Sequence, residues 1–486
     1  MSAVFRFSAL ATSLALAACA VGPDHERPAS VVSARFARDE SQAMQHDAAP
    51  AGTSADADAA FWRGFGDPAL TRLIDAALAA NQDLQLAVSR CDASNALLRE
   101  TRFDQIPTIT ASGQIGHRLT SKDQAFGAPR DQRDKPTSSV GINAAWELDL
   151  FGRVRRAVEA QRAETAASAA DVRAVRIAIA GEVASAYVDL RGSQERLRIA
   201  RENADNQRQT LALIDARVGA GRGSELDAAR ARAQVESTTS RIAVYEAAIG
   251  VDEHRLAVLT GQPPGALIGE LDSPAPLPAL VADIDPGTPG DLLRRRPDVA
   301  AAEARLHAAT ARVGVATADL FPRFTLTGLL GSMTSSYGFF RSGSDTNLIA
   351  LGVDWSFLDV GRVRARLAAS NADAAGQLAQ YRQTALGALE ETENALLRVA
   401  RTRDEATHLE RAAADSARAA QLAHARFTAG AIDYYEVLDA ERTLLQAQDA
   451  AADSRLRSAS ATVALYKALA GGWPSGAGPD APIARR

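Results

Sequence analysis

The chain has 486 residues, 47% hydrophobic and 23% charged, with a formal net charge of −5; its mean hydropathy is −0.13 and its pI is near 5.9. A nucleic-acid footprint needs a basic surface and is excluded, and past the leader no apolar run of about 18 residues exists to form a transmembrane helix. Seven scattered His and two Cys show no metal spacing, and no phosphate loop or nucleophile elbow is present, so no enzymatic activity, metal or cofactor is expected.

Residues 1–18 read as a signal peptide. Arg6 is their only charge, 7–18 are apolar or small, and Leu16-Ala17-Ala18-Cys19 closes the stretch. A Cys directly after Leu-Ala-Ala has the form of a bacterial lipobox. Cys19 is therefore expected to carry covalent lipid, diacylglycerol and palmitate, each buried CH₂ adding about 0.8 kcal/mol of membrane affinity. Ala20 follows, where lipoproteins kept at the inner membrane carry Asp; this directs the mature chain to the outer membrane. The plainer alternative is an ordinary signal peptide with a chance Cys. Residues 19–61 form the N-terminal segment, and Cys91 reads as a small apolar residue on a helix face.

From residue 62 the chain contains itself twice, in 62–261 and 290–471. Trp146, Gly152-Arg153-Val154-Arg155, Arg217 and Gly221 recur 209 residues later as Trp355, Gly361-Arg362-Val363-Arg364, Arg426 and Gly430. Such duplication suits a unit that cannot bury its own face. A hairpin is expected at about 107–150, with strands at 108–115 and 140–148 flanking a polar loop at 118–135. A second is expected at about 322–358, where Leu351, Val353, Trp355 and Phe357 alternate with smaller or polar residues. Strands of about ten residues cross an outer membrane when tilted.

A Gly-Arg-Val-Arg turn leads each copy into about 65 residues without Pro. Val172, Val175, Ile179, Val183, Ala186, Leu190 and Leu197 recur at 3 and 4, as do Leu378, Tyr381, Ala385, Leu389, Thr392, Leu396 and Val399. Such helices would be roughly 100 Å long. Glycine turns at 218–224 and 428–434 end them, and a further helix follows each. Between the copies lies a Pro-rich linker, 262–289, and a tail, 472–486, closes the chain. Four strands cannot close a barrel, and open edges are not tolerated in lipid. Eight strands from two chains would enclose only side chains; twelve from three would leave a passage.

Cys19-Ala20-Val21-Gly22-Pro23-Asp24, Trp146-Glu147-Leu148-Asp149-Leu150-Phe151-Gly152, Leu292-Leu293-Arg294-Arg295-Arg296-Pro297-Asp298-Val299, Phe321-Pro322 and Arg426-Phe427-Thr428-Ala429-Gly430 occur in order. Together they resemble the outer-membrane-factor lipoproteins of tripartite efflux pumps, in the NodT and OprM branch, distant relatives of TolC. The resemblance covers nearly the whole mature chain. It implies a mainly α fold with a membrane β-barrel: a homotrimer whose α-helical barrel continues into a 12-stranded β-barrel, two hairpins per chain. It also implies as partners a periplasmic adaptor, an inner-membrane efflux pump and outer-membrane lipid, and no nucleic acid. The segment after Cys19, the linker and the tail would form a belt around the helices. The Arg-Arg-Pro-Asp piece has a local role besides, Pro297 suiting a first helical turn and Asp298 its dipole.

In that family the glycine turns are periplasmic tips that meet the adaptor, which assigns Gly219, Gly221, Ser224, Gly430 and Tyr434 to docking. Tyr435, Glu436 and Asp439 match positions lining the narrow mouth of the tube. Glu436 and Asp439, three apart, share a helix face; at the 209 offset the first copy has Asp227 and Arg230. The competing reading of these acids is a solvated helix start. A lipid-anchored periplasmic adaptor or scaffold is the alternative function, though its hairpin would occur once and without paired membrane-length strands. The cargo is not written in the sequence.

Overall fold

Each repeat folds into two helices, two strands, a very long helix, a tight turn and a shorter helix. The computed structural model describes residues 20–29, 33–37, 61–278 and 286–469; residues 1–18, expected to be a signal peptide, Cys19 and the 472–486 tail lie outside them. The first repeat runs α1 (Pro68–Ala80), α2 (Gln82–Phe103), β1 (Thr108–Leu119), β2 (Asp134–Leu148), α3 (Arg153–Gly219) and α4 (Glu225–Leu259). A short helical turn, Ile268–Leu271, interrupts the linker. The second repeat runs α5 (Pro289–Arg295), α6 (Pro297–Ala318), β3 (Arg323–Thr334), β4 (Asp345–Asp354), α7 (Val360–Thr428) and α8 (Tyr434–Ala468).

The two repeats share contacts as well as order. Asn81 joins α1 to α2, and its amide donates to the carbonyl of Leu259, the last residue of α4 (3.0 Å). Arg296 joins α5 to α6, and its guanidinium donates to the carbonyl of Ala468, the last residue of α8 (2.7 Å). The indoles of Trp146 and Trp355 donate to the carbonyls of Gln105 and Leu320. Landmarks upstream of the hairpins, such as Pro107 and Pro322, are 215 apart, and those downstream 209 apart. The difference of 215 − 209 = 6 residues therefore falls inside the hairpins, where only the first has a helical turn, Arg130–Arg133.

The strands form one antiparallel sheet in the order β1-β2-β3-β4. β1 and β2 pair from Thr108↔Ala145 to Leu119↔Asp134, so both strands extend into the stretch expected as loop. Pro136 faces His117 on β1, but the β2–β3 pairing starts only at Ser138, so Pro136 sits where β2 has one free side. β4 stops at Asp354. Trp355 and Phe357, expected within the strand, lie beyond it: Trp355 turns to Leu320, and Phe357–Asp359 forms a 3-10 turn. The register puts Ile109, Ile115, Ile142, Trp146, Leu326, Leu330, Ile349, Leu351 and Val353 on one face. The opposite face carries Thr108, Thr110, Ser112, Gln114, Asn143 and Thr325, with Leu329, Met333 and Leu348 as its apolar members on β3 and β4. Ile109 is 70% and Ile349 86% exposed, so the apolar face is uncovered in the single chain.

The two Gly-Arg-Val-Arg segments differ. Gly152 has φ +82 and opens α3 as a left-handed turn, with Asp149 accepting from the Val154 and Arg155 amides and Glu147 pairing with Arg153. The second copy has Ser356 and Leu358 where those acids stand. Without that cap the chain enters α7 through the 3-10 turn, and Gly361 is helical. The expected turn is thus confined to the first copy.

By internal contact the chain forms two units. Met1–Ala29, Ser89–Ala169 and Ala301–Gln383 make the first, which holds the sheet; Ser30–Val88, Ala170–Ala300 and Thr384–Arg486 make the second. The buried seam in the first is small: Val154, Val158, Ala160, Ala163 and Ala167 on α3, and Ala308, Ala309, Ala311 and Val313 on α6. Small side chains let helices approach closely. The second has one cluster around Phe36, Leu292, Ala395, Val399 and Leu465, and another at the helix turns. Every apolar position expected on the long-helix seams is buried or half-buried.

Candidate functional site

Both helix turns end in the same hydrogen-bond pattern, dictated by one glycine. Gly221 (φ +71) donates to the Val218 carbonyl, and Arg222 to Arg217 (2.8 Å). Gly430 (φ +73) donates to Phe427, and Ala431 to Arg426 (2.9 Å). These are Schellman ends, in which a left-handed residue satisfies the last helical carbonyls. Gly219, Gly221, Ser224 and Gly430 are exposed there, and Ser224 caps α4 by accepting from Leu226 N (3.2 Å). Tyr434 is different. It is 4% exposed, and its ring packs against Phe427 at 5.9 Å in a cluster with Ile214, Ala228, Ala231, Val437 and Leu438. Burial, then the charges of Glu441 and Asp227, raises its phenol well above the ordinary value. Its side chain serves this core and does not present itself to a partner, because the helical period turns position 434 inward with 437 and 438.

The same period turns Tyr435, Glu436 and Asp439 outward, and all three are exposed. Among the described residues neither Glu436 nor Asp439 has an ion-pair partner. In the first repeat Asp227 is paired with Arg230 at 3.9 Å, and Arg230 also lies 5.8 Å from the centre of the Tyr435 ring. The negative charge at the tips is thus concentrated on the second hairpin.

Behind the tip lies a polar layer that the sequence did not reveal. Glu441, 8% exposed, binds His424 (2.8 Å) and accepts from Thr210 (3.4 Å), while its Oε2 is buried without a hydrogen-bond partner. The hydrogen bond to Glu441 raises the His424 pKa, with burial acting against it. Further along α8, Asp449 gathers Arg196 (3.0 Å), Tyr245 (2.9 Å) and Arg241 (3.4 Å), and Arg196 also reaches Asp453 (3.1 Å). Asn203 donates to Gln448 (2.8 Å). These bonds tie α8 to α3 and α4. Their only sequence signal is polar residues on helices otherwise filled with Ala, too diffuse to single them out.

Arg296, in the Arg-Arg-Pro-Asp piece, is likewise a tie. It is 8% exposed and binds Asp298 (2.8 Å), Glu391 (2.7 Å) and the Ala468 carbonyl. Burial works against its charge, and Asp298 and then Glu391 more than offset that, so the guanidinium is held charged. Among the described residues no group of three or more His, Cys, Asp or Glu is placed to hold a metal ion, and no helix is long and apolar enough to cross a membrane.

Comparison with known proteins agrees with this arrangement. The model of a family described as outer membrane efflux protein matches residues 73–262 and 288–471, one segment in each repeat. The solvent efflux pump outer membrane protein SrpC of Pseudomonas putida is 32% identical over 464 residues, 95% of this chain and 97% of that protein. Outer membrane protein OprJ of Pseudomonas aeruginosa is 33% identical over 492 residues, 97% of each. The solved structure of the outer-membrane channel OprN superposes with a TM-score of 0.84 at 37% identity, over 94% of this chain and all of that one. With two matched segments on two copies of one helix–hairpin–helix unit, the chain belongs to the outer membrane efflux protein family.

Proposed function

We propose that the protein is the outer-membrane channel of a tripartite efflux system. It passes substrates from an inner-membrane pump and a periplasmic adaptor to the exterior. The observation that carries this reading is the four-stranded sheet: rich in large apolar residues on one uncovered face, mostly polar or small on the other, with β1 and β4 as unpaired edges. A lone sheet of this kind is untenable in lipid. Three copies joined edge to edge make a closed twelve-stranded barrel, apolar outside and polar within. The periplasmic adaptor reading has no use for such a sheet, and no catalytic role is proposed.

In this trimer Tyr435, Glu436 and Asp439 line the periplasmic constriction. Gly219, Gly221, Ser224 and Gly430 face the adaptor, Tyr434 supporting the tip from within. The linker 262–289 and the tail 472–486 form the belt, and Cys19 bears the lipid. The cargo is set by the pump. The deciding experiment is purification in detergent followed by planar-bilayer recording: a heat-resistant trimer with discrete conductance steps supports the channel, and a monomer without conductance overturns it. Metabolic palmitate labelling of the parent and of Cys19→Ala tests the anchor, since label persisting in the Ala variant removes the assignment.

A further inference from the structure

Residues 20–29 lie on the first unit as a strap held along its length. Val21 N–H donates to the Phe151 carbonyl (3.1 Å). Arg156, its side chain 6% exposed, donates to the carbonyls of Val21 (3.3 Å) and Gly22 (3.4 Å) and pairs with Asp24 (2.6 Å). Gly22 has φ +94, and a Cβ there would stand 2.5 Å from Gly314 Cα, an approach open only to glycine. Arg27 pairs with Glu303 (2.9 Å). Between these anchors the His25 ring stacks on His307, centroids 4.5 Å apart and planes 11° apart. His307 Nε2 meets Glu159 Oε1 (2.8 Å), and Glu159 is also bound by Arg156 (2.8 Å). The second repeat has no such seat: at the 209 offset Ala365 replaces Arg156.

We propose that this strap is an acid-released clasp, docked while the His25 imidazole stacked on His307 is neutral and freed when His25 takes a proton. Among the described residues, the charged and titratable groups in contact with the stack or its anchors come from three elements. The strap brings Asp24, His25, Glu26 and Arg27; α3 brings Arg156 and Glu159; α6 brings Glu303 and His307. Asp24 and Glu159 are engaged by Arg156, and Glu303 by Arg27. Glu159 is already shared by Arg156 and the His307 ring, so an imidazolium at His25 finds no acid of its own beside the stack. Burial, then the neighbouring His307, lowers the His25 pKa, with Glu159 acting the other way. The free strap, with an ordinary imidazole of pKa near 6.5, therefore binds the proton better than the docked strap. Docking is fully present above that pH and is lost as pH falls below it. The segment directly after Cys19 thereby becomes a sensor of the acidity around it, and the inference stands whether or not the chain conducts.

The test places a spin label on the full chain in detergent at Glu26→Cys; position 26 is exposed and Cys91 is buried. At about pH 7.5 the label should be immobilised, and toward about pH 5 a mobile component should come to dominate. His25→Phe keeps a stacking ring that cannot charge, and its label should stay immobilised at both pH values. A parent label equally immobile at both pH values, a parent label already mobile near pH 7.5, or a His25→Phe variant releasing at the parent's midpoint would each overturn the proposal.

Discussion

At the scale of single residues, the strongest constraints are polar groups that close helix ends. Arg296 satisfies the final carbonyl of α8 while bridging Asp298 and Glu391. Truncating one member of such a set leaves the others unpaired, although both carboxylates keep some solvent. Arg296→Ala should therefore cost about 2 kcal/mol, below the range for a fully buried pair. Arg296→Lys should recover only part of that, because a single ammonium cannot reproduce the fork. Urea unfolding of detergent-solubilised protein measures both, and an Ala variant as stable as the parent would remove the tie. His424 makes a pH-dependent contribution. Its folded pKa is raised by Glu441, so its stabilisation of the tip is fully present below about pH 6.5 and fades as pH rises through the higher folded value. His424→Gln should flatten that slope in melting curves recorded between about pH 6 and pH 8; an unchanged slope would assign it to another group.

At the scale of elements, the helix ends are the most sharply specified parts. Gly221 and Gly430 have nothing within 4 Å of an added Cβ, so replacement strains the backbone without a clash. Gly221→Ala and Gly430→Ala should each cost about 1–2 kcal/mol of local stability and tilt the tips while trimers still assemble. Photocrosslinking from position 224 to the adaptor should fall in both variants, and unaltered crosslinking with unaltered efflux would remove the docking role. These stops were legible in the sequence, as were the long helices, because a Schellman glycine and a 3-and-4 spacing are local marks. The matched ties of Asn81 to Leu259 and Arg296 to Ala468 were not. One side is a backbone carbonyl, which leaves no mark, and the other differs in chemistry between repeats. The end of β4 was misplaced because alternation continues through Trp355 and Phe357 after the pairing with β3 has stopped at Asp354. The candidate site was half legible. Exposed acids three apart could be read from one helix, whereas His424 and Glu441 meet only because α7 and α8 fold back on each other. The burial of Tyr434 follows from which face of α8 meets Phe427, which glycine spacing does not specify.

At the scale of the whole molecule, one asymmetry decides what a trimer can do. The tip of the first hairpin holds its acid and base together as Asp227 and Arg230, while Glu436 and Asp439 on the second hairpin have no counter-ion among the described residues. Threefold assembly about an axis facing the second hairpin would gather six unpaired carboxylates at the narrow end of the passage. A ring of that kind attracts cations, repels anions and binds multivalent ions where carboxylates converge. In such an assembly the bonds of Glu441, Asp449 and Asp453 to α3 and α4 would hold α8 from behind against this repulsion. Removing the charge should therefore leave the fold and the trimer intact. The Glu436→Ala, Asp439→Ala double variant should show higher single-channel conductance, weaker cation selectivity and no block by trivalent cations from the periplasmic side. Arg196→Ala, which loosens the backing layer and leaves the ring in place, should raise conductance while keeping selectivity and block. A double variant that conducts, selects and is blocked like the parent would mean that the acids do not line the constriction, and they would return to being a solvated first turn of α8.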